Sequence, residues 1–331
     1  MSGPAAGVAV VALGGGHGLA ASLRALRSVT AAVTAVVTVA DDGGSSGRLR
    51  QELGALPPGD LRMALSALAE AGDSDHTWPS LLQHRFGGSG SLAGHPVGNL
   101  MITGLTETLG DPVAALDAMA GLLGIRPPAR VLPVSCQPMD LEAQVAGLDA
   151  ADPGRPVAVR GQVAIATTPG RVVAVSPVPA APVACAAAVA AVEAAEWVVL
   201  GPGSWFTSVL PHLMVPDLAR AIATTTARRL VVLNLAPQTG ETRDFAPADH
   251  LDVLAAHAPE MPVDVVLGDS AAGSERLRAA AEALGARLVL APVAMGDGSP
   301  RHDLRRLATA YDEIFRTVTT TTTGSGVHAW R

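Results

Sequence analysis

A chain of 331 residues, 49% of them apolar, with mean hydropathy +0.34, is long enough to bury a sizeable core in one large domain or two unequal ones. The net charge is −7 and all 23 basic residues are arginine, which excludes a Walker-type phosphate lysine and a Schiff-base lysine. An acidic chain without a basic stripe, only 3% aromatic, makes a poor nucleic-acid binder and offers few stacking platforms. Its most apolar stretches are interrupted, as Cys185 to Leu200 is by Glu193 and Glu196. None therefore supplies the roughly 18–20 apolar residues of a membrane span. No basic region precedes Val8, so the N-terminal apolar run reads as a first strand rather than a signal peptide, and a cytoplasmic protein is expected. Cys136 and Cys185 lie far apart without metal-ligand spacing and are expected as buried thiols.

In chain order, Gly7 to Leu13 reads as a short strand buried on both faces. Gly14, Gly15, Gly16, His17 and Gly18 follow, then a helix with Leu19, Leu23 and Leu26 on one face. Strand, glycine turn and helix together set free amides and a positive dipole end against a phosphate. Gly16-x-Gly18-x-x-Ala21, with Asp41 about 20 residues on, also fits the dinucleotide fingerprint. A second apolar run, Ala35 to Ala40, ends on Asp41 and Asp42, then Gly43, Gly44, Ser45, Ser46, Gly47 and Arg48. This stretch reads as a strand delivering negative charge to a crevice, beside a turn whose amides, hydroxyls and guanidinium suit phosphate oxygens or a metal-bound water. Asp60 opens a helix over Leu61 to Glu70, where it either caps that helix or serves as a third acidic ligand. Residues 73–94 are expected to form a helix flanked by mobile loops. His95, just before a helix over Leu100 to Thr108, is either a structural hydrogen-bonding residue or a binding one, with its pKa lowered by the helix dipole. Asn99 is placed to reach a ligand from the first turn of that helix.

A helix over Pro112 to Leu123 and a strand over Arg130 to Ser135 come next. Alternating valines between Leu141 and Pro179, with turns at Asp152-Pro153-Gly154 and Thr168-Pro169-Gly170, predict an inserted antiparallel hairpin subdomain. An Ala-rich helix is expected over Ala180 to Ala195, then a strand over Trp197 to Leu200. The turn Gly201-Pro202-Gly203-Ser204 follows, leading into a helix carrying Val209, Leu210 and Leu213. A strand over Leu230 to Leu235 carries Asn234. Asp249-His250 start or cap a helix. Strands over Val263 to Leu267 and Leu288 to Pro292, with helices over Ser274 to Leu284 and Asp303 to Arg316, complete the pattern. The threonine-rich residues 317–331 are expected to be a flexible tail. The fold class is therefore α/β: a Rossmann-like, mostly parallel sheet with helices on both faces and an antiparallel insertion near 141–179, in one domain over 1–316.

Ligands of open parallel sheets bind outside the carboxyl ends of the strands, near the switch in strand order. Four strand ends here carry Gly, Asp, Ser or Asn turns. The expected pocket combines Asp41, Asp42 and Asp60 as catalytic or Mg²⁺-holding carboxylates with Arg48, Arg62 and the amides of the glycine turns. Gly14 to Gly18 and Gly201 to Ser204 are expected to hold phosphates. An NAD-dependent oxidoreductase is permitted by the fingerprint, but no acid–base residue for hydride chemistry stands out.

The blocks GGGHGL, VTVADDGGSSGRLR, LPPGDLRMAL, GHPVGNL, LGPGSWFTSVLPHLMVP and TGET followed by DH occur in the order found in the YvcK-like gluconeogenesis factors, which this chain resembles over roughly residues 7–315. Those proteins are relatives of the CofD 2-phospho-L-lactate transferases. The resemblance implies a Rossmann-like core and a UDP-sugar ligand, notably UDP-N-acetylglucosamine. It also implies a regulatory role in cell shape and cell-wall homeostasis on gluconeogenic carbon sources. A protein partner and a homo-oligomer are expected with such a role; the alternative is a CofD-like, Mg²⁺-dependent transferase of a nucleotide-activated phospho-acid. The chain departs from the family in carrying His17 for a common Thr, Met63 for Asn and Phe206 for Tyr.

Overall fold

A computed structural model describes residues 7–69, 77–238 and 240–319, with side chains to 317. In chain order the main elements are β1 (Val10–Gly14), α1 (Gly16–Leu26), β2 (Val33–Val37), α2 (Gly44–Leu53), α3 (Gly59–Ala69), α4 (Thr77–Gln83), α5 (Val97–Leu109) and α6 (Pro112–Leu122). Next come β3 (Arg130–Pro133), β4 (Asp140–Ala146), β5 (Val157–Arg160), α7 (Gln162–Ala166), β6 (Arg171–Val178), α8 (Ala186–Glu193) and β7 (Trp197–Leu200). The chain continues with α9 (Pro216–Thr224), β8 (Arg228–Val232), α10 (Pro247–His257), β9 (Val265–Asp269), α11 (Glu275–Ala283), β10 (Arg287–Ala291) and α12 (Leu304–Thr319).

Seven strands form one sheet in the order β10-β9-β8-β7-β1-β2-β3, and every pairing in it is parallel. Every residue of the central strands β1 (VVALG) and β7 (WVVL) is buried, as a sheet covered on both faces requires. Succession runs one way from β1 through β2 to β3 and the other way from β7 through β8 and β9 to β10. Right-handed crossovers in opposite directions put α1 and α9 on opposite faces. The long α12 buries Leu307, Ala310, Tyr311, Ile314 and Phe315, the spacing of a single helical face. Its Tyr311 hydroxyl meets Ser22 of α1 at 2.8 Å, which satisfies both polar groups inside the core.

The insertion is a separate three-stranded antiparallel sheet, β5-β4-β6, rather than a lone hairpin, with the short α7 inside it. Arg50 of α2 and Arg160 of β5 converge on Asp140 of β4, each at 2.5 Å, and tie this sheet to the core. Several expected boundaries shift. The Ala-rich helix is confined to Ala186–Glu193, because Pro182 and the chain crossing before Cys185 interrupt its start. The segment after the second glycine turn is a π-helical turn over Trp205–Val209 and a 3₁₀ turn over Leu210–Met214. Of the expected flexible tail, residues 317–319 continue α12 and 320–331 lie outside the described residues. Part of the 73–94 stretch, residues 73–76, also lies outside them. No helix among the described residues is long and apolar enough to cross a membrane.

Candidate functional site

Strand order reverses between β1 and β7, so the loops leaving these two strands part and leave a crevice at the sheet's carboxyl edge. A cavity of about 540 Å³ occupies it. Its lining includes Gly15, Gly16, His17 and Gly18 from the first glycine turn, Pro202, Gly203 and Ser204 from the second, Asp60 from α3, and Asn234 and Gln238 from the loop after β8. The two glycine turns touch. A Cβ on Gly18 would fall 2.3 Å from the Pro202 carbonyl oxygen and 2.7 Å from Gly203 Cα, so only glycine allows this approach.

Gly15 is the N-cap of α1 and, as a glycine, supplies no capping side chain; the carboxylate of Asp60 reaches the Gly16 backbone instead. The cavity lies at the positive end of this 11-residue helix. The second turn is also met by a carboxylate. Glu241, 2% exposed, accepts the Phe206 N–H at 3.0 Å and the Thr207 hydroxyl. The negative charge at that helical end is therefore supplied by the chain itself. Asn234 holds the turn rigid: its Oδ1 accepts the Gly203 N–H at 2.9 Å and its Nδ2 donates to the Gly203 carbonyl at 2.8 Å. Ser204 Oγ accepts from Gln238 Nε2 at 3.1 Å, leaving Gln238 Oε1 without a partner.

Asp60 does not act as an N-cap. It is the second residue of α3 and its carboxylate crosses to the first glycine turn, where Thr38 Oγ1 donates to it at 3.3 Å and the Gly16 backbone also bonds it. A Cβ on Gly15 would sit 2.5 Å from Asp60 Oδ2, which explains a glycine in an extended backbone conformation there. Burial, with the Asp41 charge beside it, pushes the Asp60 pKa up to about 6.

The other residues expected at a ligand partner one another. Asp41 accepts from the Gly43 N–H at 2.9 Å, and its second oxygen lies 2.7 Å from where a Cβ on Gly59 would be. Asp42 turns away, accepting the Val163 N–H of α7 at 2.9 Å, and thereby caps a helix of the insertion. Ser46 Oγ accepts from the Gly59 N–H at 3.0 Å. Arg48 donates to the carbonyls of Ser91 and Ala93 and pins the loop ahead of α5. Ser45, His95, Asn99 and Arg62 form one buried chain. Ser45 Oγ meets His95 Nδ1 at 2.7 Å, Asn99 Nδ2 donates to Ser45 at 3.0 Å, and Arg62 Nε donates to Asn99 Oδ1 at 2.9 Å. Arg62 Nη1 also donates to Gln83. Burial lowers the Arg62 pKa to about 10 and lowers that of His95. For His95 burial is the largest cause, and the Arg48 charge adds to it. None of these residues, nor Gly14, Gly43, Gly44 or Gly201, lines the cavity. Among the described residues no three His, Cys, Asp or Glu side chains converge as a metal-binding group.

A second cavity of about 560 Å³ adjoins the first along Asn234 to Pro237 and Pro300, and is lined further by Phe245, His250, Asp269, Ala272 and Ala294. It is mostly apolar, but His250, 3% exposed, leaves its Nε2 without a hydrogen-bond partner. Trp205 and Phe245 pack edge-on against the His250 ring at 5.2 and 5.3 Å. Phe206 packs against Phe245 in the same cluster, at 6.0 Å. In the first cavity His302 also leaves a buried Nε2 unpartnered, and burial holds its pKa down to about 4, so the ring is neutral. The sequence marks His250 only as starting or capping a helix, and gives Gln162, Phe245 and His302 no local signal.

A family model described as "2-phospho-L-lactate transferase CofD" matches residues 10–295. A protein of Mycobacterium tuberculosis named "Putative gluconeogenesis factor" is 55% identical over 310 residues, covering 92% of this chain and 90% of its own. The "Gluconeogenesis factor" of Halalkalibacterium halodurans is 38% identical over 258 residues, covering 78% and 76%. A crystal structure of a UPF0052-family protein from Bacillus halodurans superposes with a TM-score of 0.81 at 33% identity, over 92% of this chain and 98% of that one. With the parallel sheet, the paired glycine turns and these matches together, the chain belongs to the CofD/UPF0052 family, the family of the YvcK-like gluconeogenesis factors.

Proposed function

We propose that the chain binds a UDP-sugar, UDP-N-acetylglucosamine being the leading candidate, across the two adjoining cavities and acts through the bound state as a regulator. The role proposed is in cell shape and cell-wall homeostasis on gluconeogenic carbon sources. The observation that carries this reading is the first turn of α1, Gly15 to Gly18, lining the crevice between β1 and β7. The helix dipole and the amides beyond Gly16 favour a diphosphate there, with Asp60 beside it; at the second turn Glu241 takes the Phe206 amide and the Thr207 hydroxyl. The mostly apolar cavity, walled in part by Phe245 and His250, suits the flat ring of a nucleobase. Each cavity is within the ~300–1,000 Å³ of small-molecule sites. Asp41, held by Gly43 rather than lining the crevice, is not placed to receive an adenosine ribose, so NAD is disfavoured.

A second reading, a CofD-like transferase, is favoured by Asp60, a cavity-lining carboxyl with its pKa near 6 and thus poised for proton transfer. Mg²⁺ suits this corner, since it takes one or two carboxylates plus phosphate oxygens. Asp60, which lines the cavity, would hold the ion, whose charge would offset the phosphates; Asp41 and Asp42, off the cavity wall, would not ligate it. Calorimetric titration with UDP-N-acetylglucosamine, GDP and NAD, each with and without Mg²⁺, separates the readings. The regulator reading predicts tightest binding of the UDP-sugar, and binding of NAD alone would overturn it. Mg²⁺-dependent GDP binding with consumption of a phospho-acid would establish the transferase instead.

A further inference from the structure

The two cysteines, 49 positions apart in sequence, are neighbours in space. Cys136 follows β3 on the segment that leaves the core sheet for the insertion. Cys185 ends the segment that returns from β6 to α8, so the pair straddles the two chain crossings at the neck of the insertion. The crossings are already joined by one backbone hydrogen bond, from Cys185 N–H to the Val134 carbonyl at 3.0 Å. Cys185 is the N-cap of α8, where the Ala188 N–H donates to its carbonyl at 2.9 Å, and its sulfur lies beside the Cys136 thiol. The Cys136 thiol, with the first-turn amides of α8 and the Arg130 guanidinium nearby, holds the Cys185 pKa down, and the Cys136 pKa rises correspondingly. Cys136 is exposed while Cys185 is 2% exposed. One thiol is thus open to reagents and the other stands ready behind it; Cys185 is buried as expected, and the exposure of Cys136 corrects the expectation that both are.

We infer that Cys136 and Cys185 form a reversible disulfide that staples the neck of the inserted sheet. The oxidant is a low-molecular-weight disulfide. The Cys136 proton passes to the Cys185 sulfur, and the Cys136 thiolate attacks one sulfur of the reagent, expelling the other half as a thiolate. Cys185 then loses its proton to solvent and displaces the second half from Cys136. Two protein thiols are oxidised and one reagent disulfide is reduced to two thiols. The staple bears on the site because the insertion contributes Gln162 to the cavity wall and the Val163 amide to Asp42. It also packs closely on the loop after β8, where a Cβ on Gly240 would fall 2.1 Å from the Ala166 carbonyl.

The test treats the full chain with oxidised glutathione, followed by intact-mass measurement and hydrogen exchange. The expected product is a monomeric chain lighter by two hydrogens, with no thiol left to alkylate under denaturing conditions and full reversal by dithiothreitol. Exchange in residues 137–184 should slow severalfold on oxidation. Cys136→Ser and Cys185→Ser should each stop at a chain carrying one glutathione or none, and Cys185→Ala serves the same purpose should the serine fail to pack. A stable glutathione adduct on Cys136 in the unmodified chain, a disulfide only between chains, or an oxidised chain with unchanged exchange at the neck would overturn the inference.

Discussion

Replacing Asp60 with Asn should make the protein more stable at pH 8 while weakening the site. Buried beside Asp41, the carboxyl has its pKa raised from 3.8 to about 6; at about 1.4 kcal/mol per pKa unit, keeping it ionised costs the folded state ~3 kcal/mol. Because the folded state holds this proton more tightly than the unfolded one, folding takes up a proton between those two values. Stability is therefore lost as pH rises through that window, and the full cost is present above it. Asn keeps an acceptor for the Thr38 hydroxyl and the Gly16 backbone, but adds an NH₂ group without an evident acceptor, which returns about 1 kcal/mol. The net gain of ~2 kcal/mol at pH 8 corresponds to a melting-temperature rise of about 3 °C, at roughly 2.1 cal/mol/K of unfolding entropy per residue. Thermal unfolding of both proteins at pH 8, 6 and 4 measures it. The advantage should shrink through pH 6 and vanish, or reverse by the amide's own cost, at pH 4. A variant less stable by the same amount at all three pH values would show that Asp60 does not hold a proton to near pH 6 in the folded state.

Other consequences are as direct. Arg62→Met removes a positive charge that lowers the Asp60 pKa and strips Asn99 and Gln83 of a donor; the Asp60-dependent window, read as the pH dependence of the difference from the Arg62→Met/Asp60→Asn double variant, should move upward. Gly18→Ala forces a methyl against the Pro202 carbonyl, 2.3 Å from its oxygen, and should cost about 1–3 kcal/mol in urea unfolding. Asn234→Ala leaves both polar groups of Gly203 without their present partner and should cost about 1–3 kcal/mol, with weaker ligand binding by calorimetry. Arg48→Ala should leave UDP-sugar affinity within about twofold, since its guanidinium is committed to the Ser91 and Ala93 carbonyls.

The sheet was legible because its central strands are apolar on both faces and end in turn residues, as β1 and β7 do. Boundaries drifted where alanine carries no directional information: the run before β7 reads as one helix, and only Pro182 and the crossing to the insertion shorten it. Within the site, the glycine turns announced themselves through local composition, and Asp60 through its place after a rigid turn. Asp42, Ser45, Arg48 and Asn99 carry the same chemistry, yet the structure spends it internally, capping α7, bridging α2 to α5 and pinning a loop. A sequence does not distinguish a polar group that meets a ligand from one that meets another buried polar group. His302, Gln162 and Phe245 reach the cavities only through tertiary packing of distant elements. No spacing rule could have gathered them.

A crystal structure with UDP-N-acetylglucosamine and Mg²⁺ shows whether a sugar nucleotide seats its diphosphate on the N-terminal turn of α1. Phosphate oxygens are expected against the backbone of Gly15 to Gly18 within reach of Asp60, with the rest of the nucleotide running toward His250. Phosphates bound instead at the Gly43 to Ser46 turn, or a nucleotide outside both cavities, would rule this seating out.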